Sequence, residues 1–110
     1  MALFQHNPDE DHKGRISYNR GIVSDIIRTA IEELDGVELT SQKKGIRLDF
    51  GKTGIYVQVS VIADYGYSIP DLSFKVQQSI KHNVEAMTKY AITQVDVSVV
   101  GVDQIRSAHA

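Results

Sequence analysis

Two alternating runs joined by a glycine-containing quartet constrain this chain more than any other feature of it. Ile46, Leu48 and Phe50 alternate with Arg47 and Asp49, and after Gly51-Lys52-Thr53-Gly54 the alternation resumes with Ile55, Val57, Val59, Val61 and Ala63. Successive side chains of a strand point to opposite faces, so each run predicts a strand with one apolar side. Four linking residues, two of them glycine, predict an antiparallel hairpin. A sheet of this kind must have its apolar face covered.

Two helical patterns are available to cover it. From Arg20 to Leu34 the apolar residues Ile22, Val23, Ile26, Ile27, Ala30, Ile31 and Leu34 recur at three and four, leaving Asp25, Arg28, Glu32 and Glu33 outside the stripe. Asp35-Gly36 closes that helix, since glycine takes a left-handed conformation without strain. Leu72, Val76, Ile80, Val84 and Met87 make a second stripe. Ser68 and Asp71 have capping-box spacing before it, and Pro70 is tolerated in a first turn. This helix is expected to end near Lys89 or Tyr90.

Val37-Glu38-Leu39-Thr40 reads as a strand, and Ser41 to Gly45 as a loop. Val95, Val97 and Val99 alternate with Asp96 and Ser98, giving a last strand to about Val102. Arg15-Ile16-Ser17-Tyr18 reads as a short strand or as the lead-in to the first helix, with Ser17 or Asn19 as its cap. Residues 1–13, with Asp9, Glu10 and Asp11, read as a mobile acidic tail, and 104–110 as a second tail. The single domain is therefore expected over 14–103. Its class is α+β: a two-layer sandwich with a mixed or antiparallel sheet of about four strands and two helices on one face.

Composition narrows the chemistry. The 110 residues suit one domain, and their 42% hydrophobic content suits one core. The chain contains no cysteine, which excludes disulfides, thiolate nucleophiles and sulfur-ligated metals. No apolar run approaches the ~18 residues of a membrane span, and the amino terminus lacks the pattern of a signal peptide. A net charge of −2 gives little attraction to nucleic acid or anionic lipid.

The motifs that suggest chemistry have simpler readings. Gly51-Lys52-Thr53 resembles the end of a phosphate-binding loop, but the glycine required at position 46 is Ile46, and a strand follows where a helix should begin. The same quartet spells a Gly-x-x-Gly nucleic-acid clamp, a loop that belongs between helices rather than strands. His6, His12 and His109 fall in the expected tails, and His82 has Gln78 and Ala86 at the positions four residues away, so no metal set converges. Asp64 and Asp71 flank a turn without a nucleophile beside them. Catalytic, cofactor and metal residues are accordingly not assigned.

One surface remains. If Ile55, Val57, Val59 and Val61 face the helices, then Tyr56, Gln58, Ser60 and Ile62 face away, as do Asp96, Ser98, Val100 and Val102 on the last strand. Tyr56, Ile62, Val100 and Val102 are the candidate interaction surface, because neighbouring apolar residues on an otherwise polar face mark interfaces.

Tyr65-Gly66-Tyr67-Ser68-Ile69-Pro70-Asp71-Leu72 resembles the Tyr-Gly-x-x-Ile-Pro-acidic-aliphatic signature of the alkaline shock protein family. Val84-Glu85-Ala86-Met87-Thr88 and Val95 to Val102 resemble its next two blocks in the same order, and Gly36-Val37 and Lys44-Gly45-Ile46 match upstream. The similarity spans about residues 15 to 103. It implies a non-enzymatic cytoplasmic protein of Gram-positive bacteria, tied to envelope or general stress. Its implied partners are proteins, including a membrane-anchored one that would hold it beside the membrane, and further copies of itself. The resemblance carries no cofactor and no catalytic residue. A small nucleic-acid-binding α+β domain is the alternative, and it requires a basic face.

Overall fold

The computed structural model describes residues 8–40 and 45–104. In chain order they form α1 (Pro8–Glu32), β1 (Val37–Leu39), β2 (Ile46–Phe50), β3 (Ile55–Asp64), α2 (Ile69–Met87) and β4 (Ile92–Asp103). The hairpin forms as its glycines require. β2 pairs antiparallel with β3 from Phe50↔Ile55 to Ile46↔Val59, and the Gly51 N–H donates to Gly54 O at 2.9 Å.

β3 is the axis of the sheet. β4 pairs with it in parallel along its whole length, from Ile55↔Ile92 to Asp64↔Asp103. That occupies one edge of β3, so β1 and β2, both antiparallel to it, share the other edge end to end. The sheet is therefore mixed. Its parallel pair needs a crossover, and α2 supplies one. Nineteen helical residues reach roughly 28 Å, close to the roughly 33 Å of the ten-residue β3. Gln77 Nε2 donates to Val95 O at 2.9 Å, and the Ile92 N–H donates to Glu85 Oε2 at 2.9 Å, so α2 is fastened to the strand that follows it.

Alternation determines the layers. Ile55, Val57, Val59, Val61 and Ala63 are all buried and join Val23, Ile27 and Ile31 of α1 with Leu72, Val76, Ile80 and Val84 of α2 in one core cluster. Both helices thus cover the same face of the sheet. Ser68 caps α2, its hydroxyl accepting from the Asp71 N–H at 3.4 Å. At the other end of the helix Thr88 is the C-cap, which places the stop slightly before Lys89.

Three expectations are corrected. α1 starts at Pro8, not Arg20, so residues 8–13, read as tail, and 15–18, read as strand or lead-in, are helical. Proline is pre-organised for a first turn, and acidic residues there complement the helix dipole, so Pro8-Asp9-Glu10-Asp11 suits a helix start as well as a solvated tail. Once a helix is nucleated, extension costs little, and an apolar stripe is needed only where the helix meets the core. The remaining tail residues, 1–7 and 105–110, and most of the Ser41–Gly45 loop lie outside the described residues. Met87, counted on the α2 stripe, is 68% exposed, because the helix ends there at the rim of the core. Ile22 is likewise exposed at the edge of the α1 stripe.

Candidate interaction surface

The uncovered face of the sheet is built from the residues that alternate with the core. Across it, register sets side chains in rows: Asp49, Tyr56 and Gln94; Arg47, Gln58 and Asp96; Ser60 and Ser98; Glu38, Ile62 and Gly101; Asp64 and Asp103. The face is polar and largely acidic, with small residues in its middle.

At one end of this face the side chains are tied together. The Tyr56 hydroxyl donates to Asp96 Oδ2. Gln94 Nε2 donates to Asp96 Oδ1 at 2.7 Å, and Gln58 Nε2 to the Tyr56 hydroxyl at 3.3 Å. The Tyr56 hydroxyl, and after it the Gln94 amide, hold the Asp96 carboxyl below the usual carboxylate range. The bond to Asp96 in turn pushes the Tyr56 phenol above its ordinary value. Both shifts move away from neutrality, so the pair is a fixed polar contact and a poor acid–base couple at pH 7. A shallow depression lined by Arg47, Leu48, Asp49, Tyr56 and Gln58 adjoins it.

Tyr56→Phe is therefore expected to return the Asp96 titration upward, towards an ordinary aspartate, as followed by carboxyl-carbon NMR. A depressed folded-state pKa gives stability that is present above the unfolded value, near 4, and lost as pH falls through the folded one. The variant should accordingly be less stable than the wild type at neutral pH, and the difference should shrink as the pH falls through the folded-state value of Asp96. An unmoved Asp96 titration would show that this bond does not hold its charge.

Of the four sequence candidates, Tyr56 and Ile62 take the outward positions expected of them. The other two are separated by a β-bulge. Val61 registers with Val99 and Ile62 with Gly101, so Val100 is an extra residue in β4, 61% exposed. An extra residue reverses the alternation beyond it. Val102 consequently registers with the buried Ala63 and shares its side of the sheet, while remaining 42% exposed. The expected outward set on β4 thus holds for Asp96 and Ser98 and fails at Val102.

Other exposed hydrophobic residues lie away from this face. Tyr65 and Tyr67 are exposed in the β3–α2 link and Ile69 at the start of α2, and Ile22 and Met87 flank a groove beside Lys89 and Tyr90. Tyr65, Tyr67 and Ile69 lie outside the stripes and Ile22 and Met87 were counted on them, so neither position by itself distinguishes a surface residue from a functional one. Lys52 sits in the hairpin turn, and His82 is exposed on α2. Among the described residues no group of three His, Cys, Asp or Glu side chains could hold a metal, and no helix is long and apolar enough to cross a membrane.

Comparison with known proteins follows the same outline. The family model of the alkaline shock proteins, described as cell envelope-related in function, matches residues 38–104. The protein YqhY of Bacillus subtilis (strain 168) is 23% identical over 116 residues, covering 92% of this chain and 86% of that protein. A stress response regulator gls24 homolog of Streptococcus pyogenes serotype M1 is 22% identical over 106 residues, covering 82% of this chain. The chain spans only 59% of that streptococcal relative's length. Among solved structures, a variant of the MamM CTD superposes with a TM-score of 0.55 at 15% identity, covering 78% of this chain and 99% of that one. A cadmium form of the MamM CTD gives 0.52 at 16%, covering 80% and 99%. At such identities the likeness is one of fold.

Proposed function

This chain belongs to the alkaline shock protein family, described as cell envelope-related in function, and from that membership we propose that it is a non-enzymatic protein-binding domain acting in envelope stress. Its working surface is the uncovered sheet face, and its partner is a protein that holds it beside the membrane. The observation that carries this reading is the arrangement of that face: Ile62 and the bulged Val100 lie beyond the small Ser60–Ser98 row from the fixed Tyr56–Asp96 pair, on an otherwise polar surface. Apolar contacts within a polar surround are the usual anatomy of an interface centre. The stress-response description of the streptococcal relatives agrees with the proposed setting.

The nucleic-acid alternative finds no support on this face. Glu38, Asp49, Asp64, Asp96 and Asp103 share it with Arg47, and carboxylates in that ratio repel phosphate.

Photo-crosslinking in cells from positions 62 and 98, compared with position 81 on the exposed side of α2, tests the assignment. Crosslinks to one membrane-associated protein are expected from the sheet positions. Ile62→Asp and Val100→Asp should each weaken its capture by about tenfold or more, while circular dichroism shows a folded domain. Capture through position 81 alone, with both variants binding as the wild type does, would move the surface to the helices.

A further inference from the structure

β4 is twelve residues long and has one open edge. Along a strand, the backbone groups of successive residues turn to opposite edges. The Val95 carbonyl accepts from Gln77 Nε2 of α2 at 2.9 Å, so Val95 turns its backbone away from β3. Val97 and Val99 share that direction by alternation, while Asp96 and Ser98 turn theirs to β3. β3 is the only strand paired with β4 among the described residues, which leaves the N–H and C=O of Val97 and Val99 facing outward. Such edges are normally guarded by lysine, proline or a bulge. β4 contains no lysine, arginine or proline, and its two register shifts, at Thr93 and Val100, lie on either side of this stretch.

The inner side of this edge is apolar. Val59 and Val61 of β3 are 1% exposed, but their register partners Val97 and Val99 are only half-buried, because no strand lies beyond them. α2 forms the other wall. Phe74 stands one turn before Gln77 on the same side of the helix, 61% exposed. Lys81 follows Gln77 on that side, and Glu85 then closes the edge, its Oε2 accepting the Ile92 N–H at 2.9 Å. On the uncovered side of the sheet the same strand shows Gln94, Asp96 and Ser98.

These features together specify an occupant. Paired donors and acceptors repeated at every second residue are matched by an extended peptide backbone. Its side chains must alternate, apolar ones turned inward onto Val97, Val99 and Phe74, polar or basic ones turned outward beside Asp96. We infer that β4 receives an extended segment of a partner protein as an added strand, in the trough between its open edge and α2. Main-chain hydrogen bonds supply affinity, and the Phe74 wall selects the apolar residues. The site is separate from the sheet face of the proposed function and uses neither Ile62 nor Val100.

Panning random peptides displayed on phage against the purified chain, with Phe74→Ala as the counter-selection, tests this. Recovered peptides are expected to alternate apolar residues with polar or basic ones. Synthetic copies should slow amide exchange at Val97 and Val99 by about tenfold or more, as followed by NMR. N-methylation of every second peptide amide should weaken binding by about tenfold or more in one phase and leave it unchanged in the other, since only one edge of an added strand meets β4. Phe74→Ala should weaken binding to a similar degree with an unchanged circular dichroism spectrum. Ile62→Asp should bind the peptides as the wild type does, which separates this site from partner binding on the sheet face. The proposal is overturned if no peptide distinguishes the wild type from Phe74→Ala, or if both phases of methylation act alike. It is equally overturned if the Val97 and Val99 amides already exchange slowly in the chain alone, because a second copy or another part of the chain would then fill the edge.

Discussion

Ile80→Ala should lower the unfolding free energy by about 2–5 kcal/mol. Ile80 is fully buried on the inner side of α2, in the cluster that joins both helices to β3. Truncation removes three carbons from a site with no solvent to fill the space, and the loss combines transfer and cavity terms. Domains of this size are typically stable by about 5–15 kcal/mol, so this single change consumes a large share of that stability. Urea unfolding monitored by circular dichroism should show a lower midpoint with an unchanged slope. Phe74→Ala on the same helix, at a residue 61% exposed, should stay within about 0.5 kcal/mol. Near-equal values for the two would mean that α2 presents a different side to the sheet.

Gly54→Ala is expected to cost about 2–4 kcal/mol, for a reason specific to this fold. Gly54 has φ +148, and a Cβ there would stand 2.6 Å from Ala91 O. That carbonyl cannot rotate aside freely, since it accepts the Ile55 N–H at the start of the β3–β4 pairing. The backbone strain of about 1–3 kcal/mol is therefore joined by loss of roughly one hydrogen bond. Gly66 provides the control. It also has positive φ, +88, but a Cβ there meets nothing within 4 Å. Gly66→Ala should cost about 1–2 kcal/mol, the left-handed penalty alone. If thermal melts place the two variants together, contact with Ala91 does not matter and only the turn does.

The contrast between these glycines shows how far the chain could be read in advance. Gly51 and Gly54 announced a hairpin, and a hairpin formed. The demand on Gly54 itself, however, comes from Ala91, which a linear reading places beyond a helix and has no reason to bring near. The candidate surface divides in the same way. Tyr56 and Ile62 were legible because their neighbours at odd positions had to be buried. Val102 was not, because one extra residue at Val100 reverses the alternation, and a bulge leaves no mark on a run of valines.

Local period and turn chemistry were thus sufficient to determine the hairpin, the inner sides of β3 and α2, and the Ser68 cap, because each is settled by residues within a few positions of one another. They also determined the α+β class, since alternating strands with one apolar side require helices on that side. Tertiary structure alone decided that β4 lies parallel on the free edge of β3 and that β1 and β2 share the opposite edge. The physical reason is that any apolar alternating strand can pair in either direction. Which edge and direction it takes depends on which edges are already filled and on the span of the helix that delivers it.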